Sequence, residues 1–114
     1  KLYEVTIQLT GTGGFVGTLD YIAPEQIQGA KEVDGRADVY SFGVMAYEAL
    51  TGEKPFKHSN PGAMIMAHLM EPLPSPAKLV PELSDEIGEA VRQAMAKKPE
   101  ERFITAGEFV GALG

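Results

Sequence analysis

The stretch most suggestive of chemistry runs from Gly11 to Glu25 and reads GTGGFVGTLDYIAPE. Its glycines could form a loop whose backbone N–H groups bind phosphate at the start of a helix. Two spacing tests argue against this reading. A dinucleotide-binding G-x-G-x-x-G that starts at Gly11 needs glycine where Val16 stands, and a Walker pattern needs lysine after Gly17, where Thr18 stands. The glycines therefore predict neither kind of phosphate-binding loop.

The composition narrows the possible functions further. Apolar residues make up 44% and charged residues 23% of the 114 residues, as in one globular domain. The net charge of −6 argues against nucleic acid or an anionic membrane as the main partner, because clustered Lys and Arg bind those. No apolar run approaches the roughly 20 residues of a membrane span. The absence of cysteine suits a reducing compartment, and we expect a cytoplasmic protein.

Helices are the elements expected to position any site. The strongest signal is a helix over Arg36–Thr51, ended by Gly52 as its C-terminal cap. Its apolar residues cover nearly the whole circumference, which predicts a central helix buried on all sides. Pro24 begins a short helix that reaches Gln28, and residues 33–35 are expected to form a turn.

Capping patterns predict three further helices. Their N-terminal caps are Asn60, Ser84 and the capping box Thr105/Glu108. Lys97 and Lys98 are expected to complement the negative end of the helix that begins after Ser84 and ends before Pro99. The segment Pro72–Pro81 is too rich in proline for a helix and is interpreted as a linker.

Four motifs, in order along the chain, resemble the C-terminal lobe of a serine/threonine protein kinase. They are Gly17-Thr18-x-x-Tyr21-x-Ala23-Pro24-Glu25, Asp38-Val39-Tyr40-Ser41-Phe42-Gly43-Val44, Gly52-x-x-Pro55-Phe56 and Lys98-Pro99-x-x-Arg102-Phe103. The Ala-Pro-Glu element belongs to the kinase signature set. One departure is Lys98, where the family usually has Asp. The resemblance covers nearly the whole chain and implies a mainly α fold of about five helices with long loops.

The resemblance also implies a domain organisation and an activity. Residues 1–25 would be an activation segment with its substrate-docking loop, and residues 26–114 a helical subdomain. The parent enzyme would use ATP and Mg²⁺ to phosphorylate Ser or Thr of a protein substrate. The family's Gly-rich loop, nucleotide lysine, His-Arg-Asp loop and Asp-Phe-Gly precede this region, and none is found in the chain.

We therefore expect a kinase fragment that begins just after the Asp-Phe-Gly element. On this interpretation the fragment holds no ATP or Mg²⁺ itself, is catalytically inactive, and depends on the missing N-terminal portion of the kinase domain as its partner. The start of the chain at Lys1 rather than at methionine fits this view. The alternative is a non-catalytic helical protein-binding module or a pseudokinase relic.

The family pattern assigns roles to particular residues. Thr18 would hydrogen-bond the catalytic base of the parent enzyme, and Leu19 and Tyr21 would shape the adjacent substrate pocket. The candidates for phosphorylation are Thr6, Thr10 and Thr12, because an added phosphate could order the activation segment. The alternative is that these threonines lie in a loop and are never modified. His58 and His68 have no ligand-spaced neighbour, so we expect no metal site.

Three further residues are implied to be structural. Glu25 and Arg102 resemble the family's buried ion pair. The alternative is that both side chains are solvated charges on the surface. In the family the residue at Asp38 accepts hydrogen bonds from catalytic-loop amides. Without that loop, we expect Asp38 to be exposed or differently paired.

Two apolar features suggest contacts with other proteins. Truncation should expose an apolar face around Met45 and Leu50, so we expect a homodimer through this face or through exchange of the arm Lys1–Gly17. A groove on the helix after Asn60 could dock a partner. Its methionines are Met64, Met66 and Met70.

Overall fold

The computed structural model describes residues 19–114. From Pro24 onward the regular structure consists of six α-helices and one 3₁₀-helix, which confirms the mainly α class. The α-helices are α1 (Pro24–Ile27), α2 (Gly35–Thr51), α3 (Pro61–Met70), α4 (Pro76–Leu79), α5 (Asp85–Ala94) and α6 (Ala106–Ala112). The 3₁₀-helix, Pro99–Glu101, lies between α5 and α6.

The central helix is α2, which packs against α5 and α6. Its buried side includes Val39, Tyr40, Val44 and Tyr47, whose side chains form much of the core. Met45 is 42% exposed, so the prediction that α2 is buried on all sides is wrong and the expected exposure of Met45 is confirmed. The described helices cover only part of the apolar circumference, so a periodicity argument overestimated the burial.

Side-chain caps begin α3, α5 and α6 where the sequence predicted them. The Asn60 side chain accepts from two backbone N–H groups of α3, and Ser84 accepts from the N–H of Ile87 in α5. The capping box of Thr105 and Glu108 at α6 is also confirmed. These signals are reliable because a cap satisfies N–H groups within a few residues of itself.

Two local predictions were wrong. Residues 33–35 do not form the predicted turn, because Gly35 is the first residue of α2. Asp34 caps this helix, and its side chain accepts a hydrogen bond from the N–H of Arg36 at 2.9 Å. The supposed linker contains α4, which begins with Pro76. Proline is compatible with the first helical position because the N–H that it lacks would have no intrahelical partner there.

A glycine allows α2 to approach α5 closely. A Cβ atom added at Gly43 would lie 2.8 Å from the Met95 side chain and 3.0 Å from the Cβ of Ala94. The Met95 side chain can move, but the Cβ of Ala94 moves only with its helix. We therefore expect Gly43→Ala to lower the free energy of unfolding by about 1–3 kcal/mol, measured by urea denaturation.

The matched control is Gly88→Ala in α5, where an added Cβ has no heavy atom within 4 Å. Alanine there should raise the stability by about 0.5–1 kcal/mol, because it is the better helix former. Equal effects of the two substitutions would show that the contact between α2 and α5 does not limit the size of residue 43.

Candidate functional site

The segment Leu19–Glu25 lies against the side of α2. The Ser41 hydroxyl donates to the backbone carbonyl of Tyr21 at 2.5 Å, and the Tyr21 hydroxyl donates to the Glu48 carboxylate at 2.8 Å. The pKa of Tyr21 is raised, mainly by its partial burial and to a smaller extent by the hydrogen bond to Glu48. Both the main chain and the side chain of Tyr21 are therefore anchored to one helix.

An ion pair fixes the start of the segment to the loop that follows α2. The Lys54 ammonium lies 2.6 Å from the Asp20 carboxylate. This hydrogen bond raises the pKa of Lys54. Beside the pair is an open cleft of about 430 Å³, with Phe56 and Met64 among its apolar lining residues. The cleft thus joins the segment to the first turn of α3.

The other end of the segment is held by a buried bidentate ion pair. Two guanidinium nitrogens of Arg102 lie 2.7 and 2.8 Å from the two carboxylate oxygens of Glu25. The side chain of Arg102 is 0% exposed and that of Glu25 9%. The guanidinium also donates to three backbone carbonyls, those of Arg36, Ala96 and Lys97. All five N–H groups of the guanidinium are thereby used.

A second polar cluster connects this ion pair to α3. The Arg102 guanidinium lies over the Tyr40 ring, 5.0 Å from its centroid. The Tyr40 hydroxyl lies 2.7 Å from Nδ1 of His68, whose ring meets Phe56 edge to face. Burial lowers the pKa of His68 to about 4 and raises that of Tyr40. Both groups are therefore neutral at neutral pH.

Lys97 does complement the negative end of a helix, but the helix is α3 and not α5. Its ammonium donates to the carbonyl of Ala67 at 3.0 Å and lies 4.6 Å from the Phe56 ring centroid. Burial lowers the pKa of Lys97 to about 8, with Glu71 opposing the shift and Arg102 adding to it. Charge patterning along the sequence could not distinguish two helix ends that lie close in space.

The different surroundings of two lysines predict different reactivity toward an acylating reagent. Competitive labelling with trace acetic anhydride across a pH series should give an apparent pKa of about 8 for Lys97. Lys54 is the internal comparison and should titrate above the ordinary lysine range. Equal titration curves for the two lysines would contradict the burial of the Lys97 ammonium.

The structure places only some of the residues proposed from the sequence. Leu19 is buried, Tyr21 and Asp38 are half-buried, and no hydrogen bond between described residues includes the Asp38 side chain. Thr18 and the phosphorylation candidates Thr6, Thr10 and Thr12 lie outside the described residues.

The three methionines of α3 are divided between core and surface, and Leu50 is half-buried. Met64 is buried, whereas Met66 and Met70 are 51% and 71% exposed. A single groove lined by all three is therefore not formed. The positions 64 and 68 are one helical turn apart, and this spacing is the sequence signal that could have placed His68 on the buried side.

The donor groups of the described residues do not fit MgATP. Residues 19–114 contain no group of three or more His, Cys, Asp or Glu side chains that could hold a metal ion. The carboxylates of Asp20 and Glu25 are already paired with cations. None of the helices in the same range has the length and apolar character needed to cross a bilayer.

Residues 5–111 match the family model for the protein kinase domain, so the chain belongs to the protein kinase family. It is similar to serine/threonine-protein kinase Pkn1 of Myxococcus xanthus, with 42% identity over 99% of this chain. It is also similar to tyrosine-protein kinase MasK of the same species, with 46% identity over 91% of this chain. The chain spans only 16% of the length of each of these relatives.

A solved structure agrees with this assignment. The kinase domain of PknI from Mycobacterium tuberculosis superposes with a TM-score of 0.64 and 29% identity, covering 82% of this chain and 32% of that one. The sequence-based prediction of a helical portion of the kinase fold is therefore confirmed.

Proposed function

We propose that this chain is part of a serine/threonine protein kinase, in which it supplies the end of the activation segment and the protein-substrate docking surface. Residues 1–25 would form the activation segment with its docking loop, and residues 26–114 the helical subdomain. The preceding portion of the kinase domain would hold ATP and Mg²⁺. Alone, this chain would be catalytically inactive.

The observation that carries the proposal is the anchoring of Leu19–Glu25 at both ends and in the middle. Asp20 is paired with Lys54, Tyr21 is held by α2, and Glu25 is paired with Arg102. A binding surface held by such contacts is preorganised, so little ordering entropy is lost when a substrate docks. Thr18, which precedes this segment, would orient the catalytic base.

The test is phosphorylation of casein by the complete protein with MgATP, followed by phosphoamino-acid analysis. We expect phosphoserine and phosphothreonine, and loss of transfer in Thr18→Ala. Tyr21→Phe, which loses only the bond to Glu48, is the matched variant and should keep measurable activity. Phosphotyrosine alone would instead show that the complete protein is specific for tyrosine, as the name tyrosine-protein kinase indicates for MasK.

The same reaction also tests which residues of the activation segment become phosphorylated. We propose that its regulatory phosphorylation occurs at Thr10 or Thr12, with Thr6 as a further candidate. Mass spectrometry of the autophosphorylated protein should find phosphate at one of them. Phosphate confined to other regions would remove the three threonines from the proposal.

The exposed apolar residues of α2 and α3 support the alternative of a helical binding module. Met45, Met66 and Met70 are all exposed, and such side chains adapt to many partners. A homodimer through the Met45 face is one form of this alternative. A complete protein that transfers no phosphate but sediments as a dimer would favour it, whereas an active monomer would argue against it.

A further inference from the structure

The cleft beside the Asp20–Lys54 pair is lined by more basic than acidic side chains. Lys54, Lys57 and His58 line it, and Asp20 is the one carboxylate among the described lining residues. The chain as a whole carries a net charge of −6, so this local excess is opposite in sign to the overall charge. Such a surface favours a partner that is locally anionic.

Two of the charges at the cleft compensate each other. The Asp20 carboxylate lies 2.6 Å from the Lys54 ammonium, and the Asp20 side chain is only 12% exposed. A carboxylate paired in this way repels an incoming anion weakly, and its lysine partner attracts one weakly. The lining cation that determines the charge of the cleft is therefore Lys57.

Lys57 has donors left for a carboxylate that enters the cleft. Its side chain is 63% exposed, and its ammonium is paired with the carboxylate of Glu53, which does not line the cleft. Glu53 uses one of the three N–H groups of the ammonium. An exposed pair of this kind contributes little to stability, so Lys57 can turn toward a second carboxylate at small cost.

The residues that follow Lys57 are tied to α3. Nε2 of His58 lies 3.0 Å from the carboxylate of Glu71, directly after the last residue of α3. Ser59 also lines the cleft, and its hydroxyl can donate to an acceptor there. Because the same short loop carries Lys57, an ammonium and a hydroxyl are held at one cleft.

The cleft also has an apolar part. Phe56 and Met64, both buried in the core, are among its lining residues. The methylene groups of an acidic side chain can pack against such a surface while the carboxylate stays near the ammonium. Glutamate has one methylene group more than aspartate, so this lining favours glutamate.

We propose that the cleft binds an acidic side chain of the protein substrate, glutamate in preference to aspartate, and that Lys57 is the residue that determines this specificity. Ser59 is the second donor to the bound carboxylate. The inference rests on the proposed function of Leu19–Glu25 as a docking surface, because the cleft lies beside Asp20 at the start of that segment. A substrate docked on the segment can therefore reach the cleft with a neighbouring side chain.

Paired peptides test this specificity in the complete protein with MgATP. Each pair has one threonine among alanines and carries either Glu or Gln at one further position, which is moved along the peptide. At the best position Glu should raise kcat/KM roughly threefold to tenfold over Gln, as expected for one partly exposed ion pair. Lys57→Gln should bring this ratio close to one, and Lys57→Glu should favour a peptide with Lys there. Lys31→Gln is the matched control and should keep the ratio, because Lys31 is exposed but does not line the cleft.

Binding of the same peptides, measured by fluorescence anisotropy, supplies a readout that does not need activity. The Glu peptide should bind more tightly than the Gln peptide, and Lys57→Gln should remove the difference. A protein that shows this binding but transfers no phosphate would refute the proposed function and support the inference. Phosphate transfer without a preferred Glu position, or with a preference that survives Lys57→Gln, would overturn the inference and leave the proposed function standing. A preference for phosphoserine but not for Glu would also overturn it, and a protein with neither transfer nor Glu-dependent binding would refute both.

Discussion

Replacing Arg102 with methionine is expected to lower the free energy of unfolding by about 3–5 kcal/mol. The substitution keeps an unbranched side chain of similar length but leaves the Glu25 carboxylate buried without a cation. It also removes the donors to three backbone carbonyls, which join α2 to the loop after α5. Urea denaturation monitored by circular dichroism measures the loss.

The matched variant is Glu25→Gln, which keeps the shape of the acid and removes its charge. We expect a smaller loss, because Arg102 retains its three carbonyl acceptors and an amide oxygen still accepts from it. A double-mutant cycle with Arg102→Met isolates the coupling of the pair. A loss below about 1 kcal/mol for Arg102→Met would mean that the pair behaves as a solvated one.

The helices were predictable because their signals are local. Asn60, Ser84 and Thr105 each cap a helix through bonds to residues two or three positions away, so the sequence contains the whole interaction. Two failures were local, since Asp34 and Pro76 begin helices where a turn and a linker were predicted. The incomplete burial of α2 had a non-local cause, because it depends on which helices cover α2, and no periodicity within α2 reports that.

The site divides in the same way between what sequence can and cannot show. Glu25 and Arg102 lie 77 positions apart, and only the resemblance to kinases suggested that they meet. Nothing in the sequence pairs Tyr40 with His68, 28 positions away, because both are amphipathic residues that occur in cores and on surfaces alike. Polar contacts between distant segments depend on the packing of the helices that carry them.

The stability of the protein is expected to fall by about 3 kcal/mol through His68 alone as the pH is lowered from 7 to 4. Burial holds the pKa of His68 at about 4 in the folded protein, against the ordinary value of 6.5. A lowered histidine pKa means that the unfolded chain binds the proton more tightly. The stabilisation is therefore complete above about pH 6.5 and is lost as the pH falls toward 4.

Other groups also titrate in this range, so the effect must be isolated by difference. The pH dependence of the unfolding free energy should be measured for the natural sequence and for His68→Gln, which cannot be protonated. The variant should be less stable at pH 7, because it loses the packing of the ring between Tyr40 and Phe56, and its pH profile should be flatter by about 3 kcal/mol. Parallel profiles would show that folding does not shift the pKa of His68, and would contradict the buried, neutral ring that is hydrogen-bonded to Tyr40.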